Sequence, residues 1–262
     1  MRAPAVLWFA AIYGFGFAAC SRARQLDVAT HSTSIAQHVV TSNRAEIELL
    51  IAAEDVGALS GAIALGENEQ RAIYFYDTPE LEMFSKGLLL RARKMGDGSA
   101  DSTVLSRFTN ASDGPLPDMR CAKDGVSATS VCTLRQESEG DEIDEVADGK
   151  SEIGRLFSKE QRAFAKHVSP KLEMSNLSVF GPIQGRVWRP EVNEIDGSVT
   201  LEEWMLPNGA SVVTISVKTA AADAKATLVD LRKFLDEHGV REITNSGTKT
   251  EAALDYFAST LD

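Results

Sequence analysis

The chain has 262 residues, 44% apolar and 25% charged, an ordinary globular composition that excludes a largely disordered polypeptide. With 27 Lys and Arg against 38 Asp and Glu the formal net charge is −11, which excludes broad coating of DNA or RNA by a basic face. A basic site enclosed by an acidic exterior is compatible with that balance.

Residues 1–20 read as an export signal. Arg2 is followed by a charge-free run over 5–19 and by Ala18 and Ala19 directly before Cys20, the order of a secretory signal. The run is shorter than the ~20 apolar residues a spanning helix needs, and polar Ser-Arg-Ala-Arg-Gln follows it. Ala-Ala-Cys resembles a bacterial lipobox, with Phe17 where Leu is usual. The expectation is cleavage before Cys20 and lipidation of that cysteine; simple secretion and an uncleaved anchor are the alternatives. The expected location is the bacterial cell envelope, with a lipid anchor in the membrane on the outer-membrane or periplasmic side, or secretion. Residues 21–43 read as a polar tether and 44–262 as one domain. With Cys20 lipidated, Cys121 and Cys132 remain as a pair in an oxidising compartment, so a disulfide across the turn-rich segment between them is expected. Two unrelated buried thiols are the alternative. The four histidines are scattered and no CxxC occurs, which argues against zinc.

Within the domain, residues 45–51 alternate charged and apolar, a strand with one polar face. Residues 55–66 read as a helix ended by Gly66, and 72–76 as a strand stopped by Asp77-Thr78-Pro79. Asp77 suits a turn and helix cap, Pro79 the first turn of a short helix to Lys86, and Gly87 its end. Residues 88–94 and 102–108 form a hairpin across Met-Gly-Asp-Gly. A strand follows over 131–139. Residues 137–148 hold seven acids and no base, an acidic surface patch. A helix is expected over 153–168, strands over 185–189, 199–204 and 211–218, and a helix over 221–238. This pattern is one α+β domain dominated by antiparallel strands.

Charge sits inside the strand patterns. Residues two apart on a strand share a face, so Glu46 and Glu48 point together, as do Arg91 and Arg93. Arg107, Arg135 and Lys218 lie on further strands. If these strands close into a barrel, the interior combines guanidinium forks suited to phosphate oxygens with paired carboxylates suited to a hard divalent cation. The alternative is the solvated outer face of an antiparallel sheet.

Those residues resemble a family. Glu46-Ile-Glu48 resembles the N-terminal ExExK of the CYTH superfamily, the triphosphate tunnel metalloenzymes. Residues 74–97, YFYDTPELEMFSKGLLLRARKMGD, resemble that family's YFDTPDLxLLxxGxxLRIRR segment. Arg107 falls where the family places a lysine, Arg135-Gln-Glu137-Ser-Glu139 resembles RxExE, and Ser246-Gly-Thr-Lys249 weakly echoes a C-terminal Ser-Lys element. The resemblance implies an antiparallel eight-stranded β-barrel with flanking helices. It implies a triphosphate or polyphosphate ligand held by Arg91, Arg93, Arg107, Arg135 and Lys218, and Mg²⁺ or Mn²⁺ held by Glu46 and Glu48. Metal-dependent triphosphate hydrolysis is one implied activity; non-catalytic polyanion binding or a structural envelope role is the alternative. The chain departs from the pattern at Leu50, in place of the lysine, and at Thr214 and Ser216, in place of two glutamates. Glu202 or Glu203 is a candidate replacement ligand.

Overall fold

The computed structural model describes residues 40–108, 120–124, 130–244 and 247–260. The export signal, Cys20 and residues 21–39 of the expected tether lie outside the described residues.

Nine strands are present among them: β1 (Val40–Ile51), β2 (Glu69–Asp77), β3 (Leu88–Met95), β4 (Ser99–Phe108), β5 (Arg120–Asp124), β6 (Ser130–Glu139), β7 (Ser178–Trp188), β8 (Ser198–Met205) and β9 (Ser211–Ala220). The helices are α1 (Val56–Ala62), α2 (Glu82–Ser85), α3 (Gly140–Ala147), α4 (Lys159–Val168), α5 (Ala224–Glu237) and α6 (Lys249–Ser259). The strands close into a barrel in the order β1-β5-β6-β4-β3-β2-β7-β8-β9, and β9 returns to β1. Eight long antiparallel strands are those the resemblance implies. The short β5 is added at the seam, antiparallel to β6 and parallel to β1. Cys121 of β5 lies opposite Cys132 of β6, and the two are joined in the expected disulfide.

The period-2 alternation decides which face is which. On β1, Ala45, Ile47, Leu49 and Ile51 are buried with Val213, Ile215 and Val217 of β9 beneath Leu231 and Phe234 of α5. Glu46 and Glu48, between them, line the barrel interior. The opposite wall repeats this: Leu88, Leu90 and Ala92 of β3 pack with Ile143 and Val146 of α3 and Phe164 of α4. Arg91 and Arg93, on the other face of β3, point inward. The barrel is therefore apolar outside, under helices, and charged inside. At one end the inward face turns apolar, where Phe75, Phe180, Trp204 and Leu206 pack against Ala253 and Leu254 of α6.

Several expectations are corrected. Part of the acidic stretch forms α3, whose Gly140, Ile143 and Val146 are buried while its acids face out. The single helix expected over 153–168 is a short 3₁₀ turn, Ile153–Leu156, and a separate α4, because Ser158 and Gln161 form a reciprocal capping box. β7 begins at Ser178, earlier than expected, running through Gly181-Pro182, a pair that reads as a strand breaker. α6 was not expected; Thr248 and Glu251 form its capping box, a spacing visible in the sequence. Asp77 does cap, accepting from the backbone N–H of Thr78, Met83 and Phe84.

Gln161 welds the helical coat to the barrel. Fully buried, it donates from Nε2 to the carbonyls of Ser102 and Leu134, and its Oε1 accepts from Ser102 Oγ and the Ser158 N–H. Gln161→Ala strands these partners in a dry interface, and we expect a loss of about 2–4 kcal/mol of unfolding free energy in urea titrations. A loss no larger than that of an exposed-helix substitution would show that the weld is not formed.

Candidate functional site

A cavity of about 1150 Å³ occupies the barrel interior, lined by nine basic and seven acidic residues. The interior is thus net positive in a chain of net charge −11. All seven residues expected to hold phosphate or metal line this one cavity: Glu46, Glu48, Arg91, Arg93, Arg107, Arg135 and Lys218. Cross-strand register explains the convergence, since Arg91 pairs with Thr103, Arg93 with Asp101, and Glu46 with Lys218. Leu50 lines the cavity too, where the resemblance has lysine.

The arginines differ in what already holds them. Arg93 grips the fully buried Asp101 with Nε 3.2 Å from Oδ1 and Nη2 2.9 Å from Oδ2. Arg135, half-exposed, shares the same carboxylate at 3.0 Å, and Thr103 Oγ1 donates to it at 3.2 Å. Arg71 donates from Nε to Glu69 Oε1 at 2.5 Å and lies 3.8 Å from Glu202. Arg91 is the exception: its Nε is buried with no hydrogen-bond partner. Burial first, then repulsion from Arg93 and Arg71 against attraction to Glu202 and Asp101, pulls the Arg91 guanidinium down to about 10. Arg107 is exposed, and Lys218 lies 3.9 Å from Glu46 with both side chains half-exposed. Arg186 and Glu203 pair with each other, and neither lines the cavity.

On the carboxylate side, Lys249 dominates. Only 6% exposed, it enters from the first residue of α6 and places Nζ 2.5 Å from Glu202 Oε2, 3.4 Å from Glu48 Oε2 and 3.0 Å from Thr214 Oγ1. The ammonium also lies 4.6 Å from the centre of the Trp204 ring, and Trp204 Nε1 donates to Glu202 Oε1 at 2.8 Å. Burial by itself raises the Glu202 carboxyl, but the Lys249 charge and hydrogen bond, the indole N–H and Arg71 outweigh it and hold it at about 2. Glu46 goes the other way, raised by burial and by Glu48 and Glu202 against Lys218 and Lys249. A hard divalent cation takes six or more oxygens with several carboxylates. Here Glu202 is engaged by an ammonium, the facing positions on β9 are Thr214 and Ser216, and no group of three metal-ligating side chains occurs among the described residues. As arranged, this set does not fit such a cation.

Two of these residues, Arg71 and Asp101, were not singled out from the sequence, because they lie on strands without a motif. Lys249 was named only through the weak Ser246–Lys249 echo, and it is carried in by a helix that the pattern did not reveal. The i, i+2 spacing of Glu69 with Arg71, and of Ser99 with Asp101, was the available signal.

The Glu202 carboxyl is depressed below its ordinary 4.5 in the folded chain. Its contribution to stability is therefore complete above about pH 4.5 and lost as pH falls toward 2. Glu202→Gln leaves the buried Lys249 ammonium with only the more distant Glu48 as its anion and is expected to cost about 3 kcal/mol near neutral pH. In urea unfolding, the gap between wild type and variant narrows as pH drops through that window. A gap constant from pH 7 to pH 2 would contradict the pairing.

No family model matches the sequence, and no curated protein matches it. Solved structures do. A candidate adenylyl cyclase from Hippeastrum, described as having a dominant triphosphatase activity, superimposes with a TM-score of 0.58 at 17% identity, covering 80% of this chain and 94% of that one. A candidate adenylate cyclase from Bacillus halodurans superimposes with a TM-score of 0.56 at 15% identity, covering 80% of this chain and 98% of its own. At such identities the likeness is one of fold: this chain shares the barrel fold of these two proteins.

Proposed function

We propose that this barrel binds a small condensed phosphate, inorganic tripolyphosphate or a triphosphate-bearing molecule, inside its tunnel. The observation that carries this reading is Arg91. A guanidinium whose Nε is buried and unpartnered lies beside two other arginines, a costly arrangement that an anionic ligand relieves. Arg93 and Arg135 are oriented by Asp101, so their forks are set before the ligand arrives and less freedom is lost on binding. The cavity volume is above the ~1,000 Å³ end of ordinary small-molecule sites, which leaves room for an organic group beyond the phosphates.

Metal-dependent triphosphate hydrolysis is the second reading, favoured by one observation: Glu46 and Glu48 stand together on the same wall, partly exposed to the cavity. An export signal over residues 1–20, as read from the sequence, would put either activity in the cell envelope, where cytosolic nucleotide cyclisation sits poorly.

Calorimetric titration of inorganic tripolyphosphate into the folded domain is the direct test. Arg91→Ala is expected to weaken binding at least about tenfold, the loss of a charge-assisted contact in a water-poor site. Equal affinity in the variant and wild type would remove Arg91 from the ligand site. Phosphate release from tripolyphosphate with and without Mn²⁺, compared with Glu48→Ala, separates the two readings: metal-dependent release lost in the variant supports hydrolysis, and its absence supports binding alone.

A further inference from the structure

We infer that the Lys249 ammonium is the tunnel's resident cation, so that the site takes a condensed phosphate free of divalent metal. The inference rests on the binding reading above and concerns what neutralises the carboxylate wall when the anion arrives.

Two carboxylates, Glu48 and Glu202, and the Thr214 hydroxyl converge on one point, and that point holds Nζ. An ammonium has three N–H donors; two are taken by Glu202 Oε2 and Thr214 Oγ1, and Glu48 Oε2 lies 3.4 Å away as an ion-pair partner. The π face of Trp204 covers the same charge, an arrangement that favours a cation. The side chain is held in place from behind. The Thr248–Glu251 capping box fixes the start of α6, and the fully buried Ala253 and Leu254 lock the helix into the barrel end. Without a positive charge there, a polyphosphate entering beside Arg91 would face Glu48 and Glu202 as well as the arginines. With Lys249 in place, that repulsion is cancelled by the chain itself. A divalent ion taking the same point must first displace a buried, paired ammonium. Thr214 and Ser216 fit this arrangement: neutral oxygens suffice around a single charge, whereas two further carboxylates would leave it outnumbered.

The test uses the full domain, tripolyphosphate and Mn²⁺. Wild type is expected to bind tripolyphosphate in excess EDTA at least as tightly as with Mn²⁺. It is also expected to leave the electron paramagnetic resonance signal of free Mn²⁺ unchanged when Mn²⁺ is added alone. Lys249→Met, checked for native circular dichroism, is expected to lose about tenfold or more of its affinity in EDTA. It should regain affinity with Mn²⁺ and quench the free Mn²⁺ signal as Glu48 and Glu202, the two carboxylates Lys249 holds, are released. Wild-type binding that appears only with Mn²⁺ overturns the inference and leaves the binding function standing. So does a folded Lys249→Met that binds in EDTA like wild type. No binding by wild type under either condition overturns the binding function itself. If Lys249→Met does not fold, the wild-type comparison between EDTA and Mn²⁺ decides alone.

Discussion

A barrel that turns its charged face inward must bury its apolar face under something else, and this constraint organises the molecule. On nearly every strand the apolar residues point outward, where they would meet water if the barrel stood alone. α1 and α5 cover β1 and β9, and α2, α3 and α4 cover β2, β3 and β4. The helices are thus a requirement of the charged tunnel rather than decoration on it. Burial under that coat supplies the hydrophobic stabilisation that a barrel of this size ordinarily takes from its own interior.

Inside, the same economy applies to charge. Buried ions are tolerated when paired and hydrogen-bonded, and the tunnel is partitioned accordingly. Asp101 holds Arg93 and Arg135, Glu69 holds Arg71 and Arg189, and Glu202 holds Lys249. These pairs orient the cations and keep the interior from repelling itself. Arg91 has no carboxylate of its own and its charge is destabilised, which is why the proposed ligand is set beside it. The two ends of the charge distribution are built differently. The arginine side rests on strands alone, while the carboxylate side is completed by a helix from the end of the chain.

Much of this was legible in the sequence. Alternation in residues 45–51 and in Leu88–Met95 placed Glu46 with Glu48 and Arg91 with Arg93, because a strand's period of two needs no tertiary information. The two glycine turns flanking β3, at Gly87 and at Gly96–Gly98, were legible for a similar local reason. Less visible were β5, too short to show a period, and β7, interrupted by Gly181-Pro182. The acidic stretch hid α3, whose three buried positions are outvoted by charge in any composition-based reading. α6 was missed although Thr248 and Glu251 announce its start. An isolated helix of that length is marginal in water, so its formation depends on the barrel end it closes.

The sequence by itself determined which residues share a strand face, that the arginines and glutamates are numerous enough to build an anion site, and that Cys121 and Cys132 were available to pair. It could not determine whether those faces turn toward water or toward each other, since alternation is identical for a solvated sheet and a closed barrel. Only closure of the nine strands, driven by helices burying the opposite face, settled that question. Tertiary structure also decided the partner of each charge. Lys249 lies 47 residues from Glu202, and no local rule pairs them; they meet because α6 has an apolar face and the barrel has one open apolar end. The net charge of −11 described the whole chain, and the fold sorted it into an acidic exterior and a net positive tunnel.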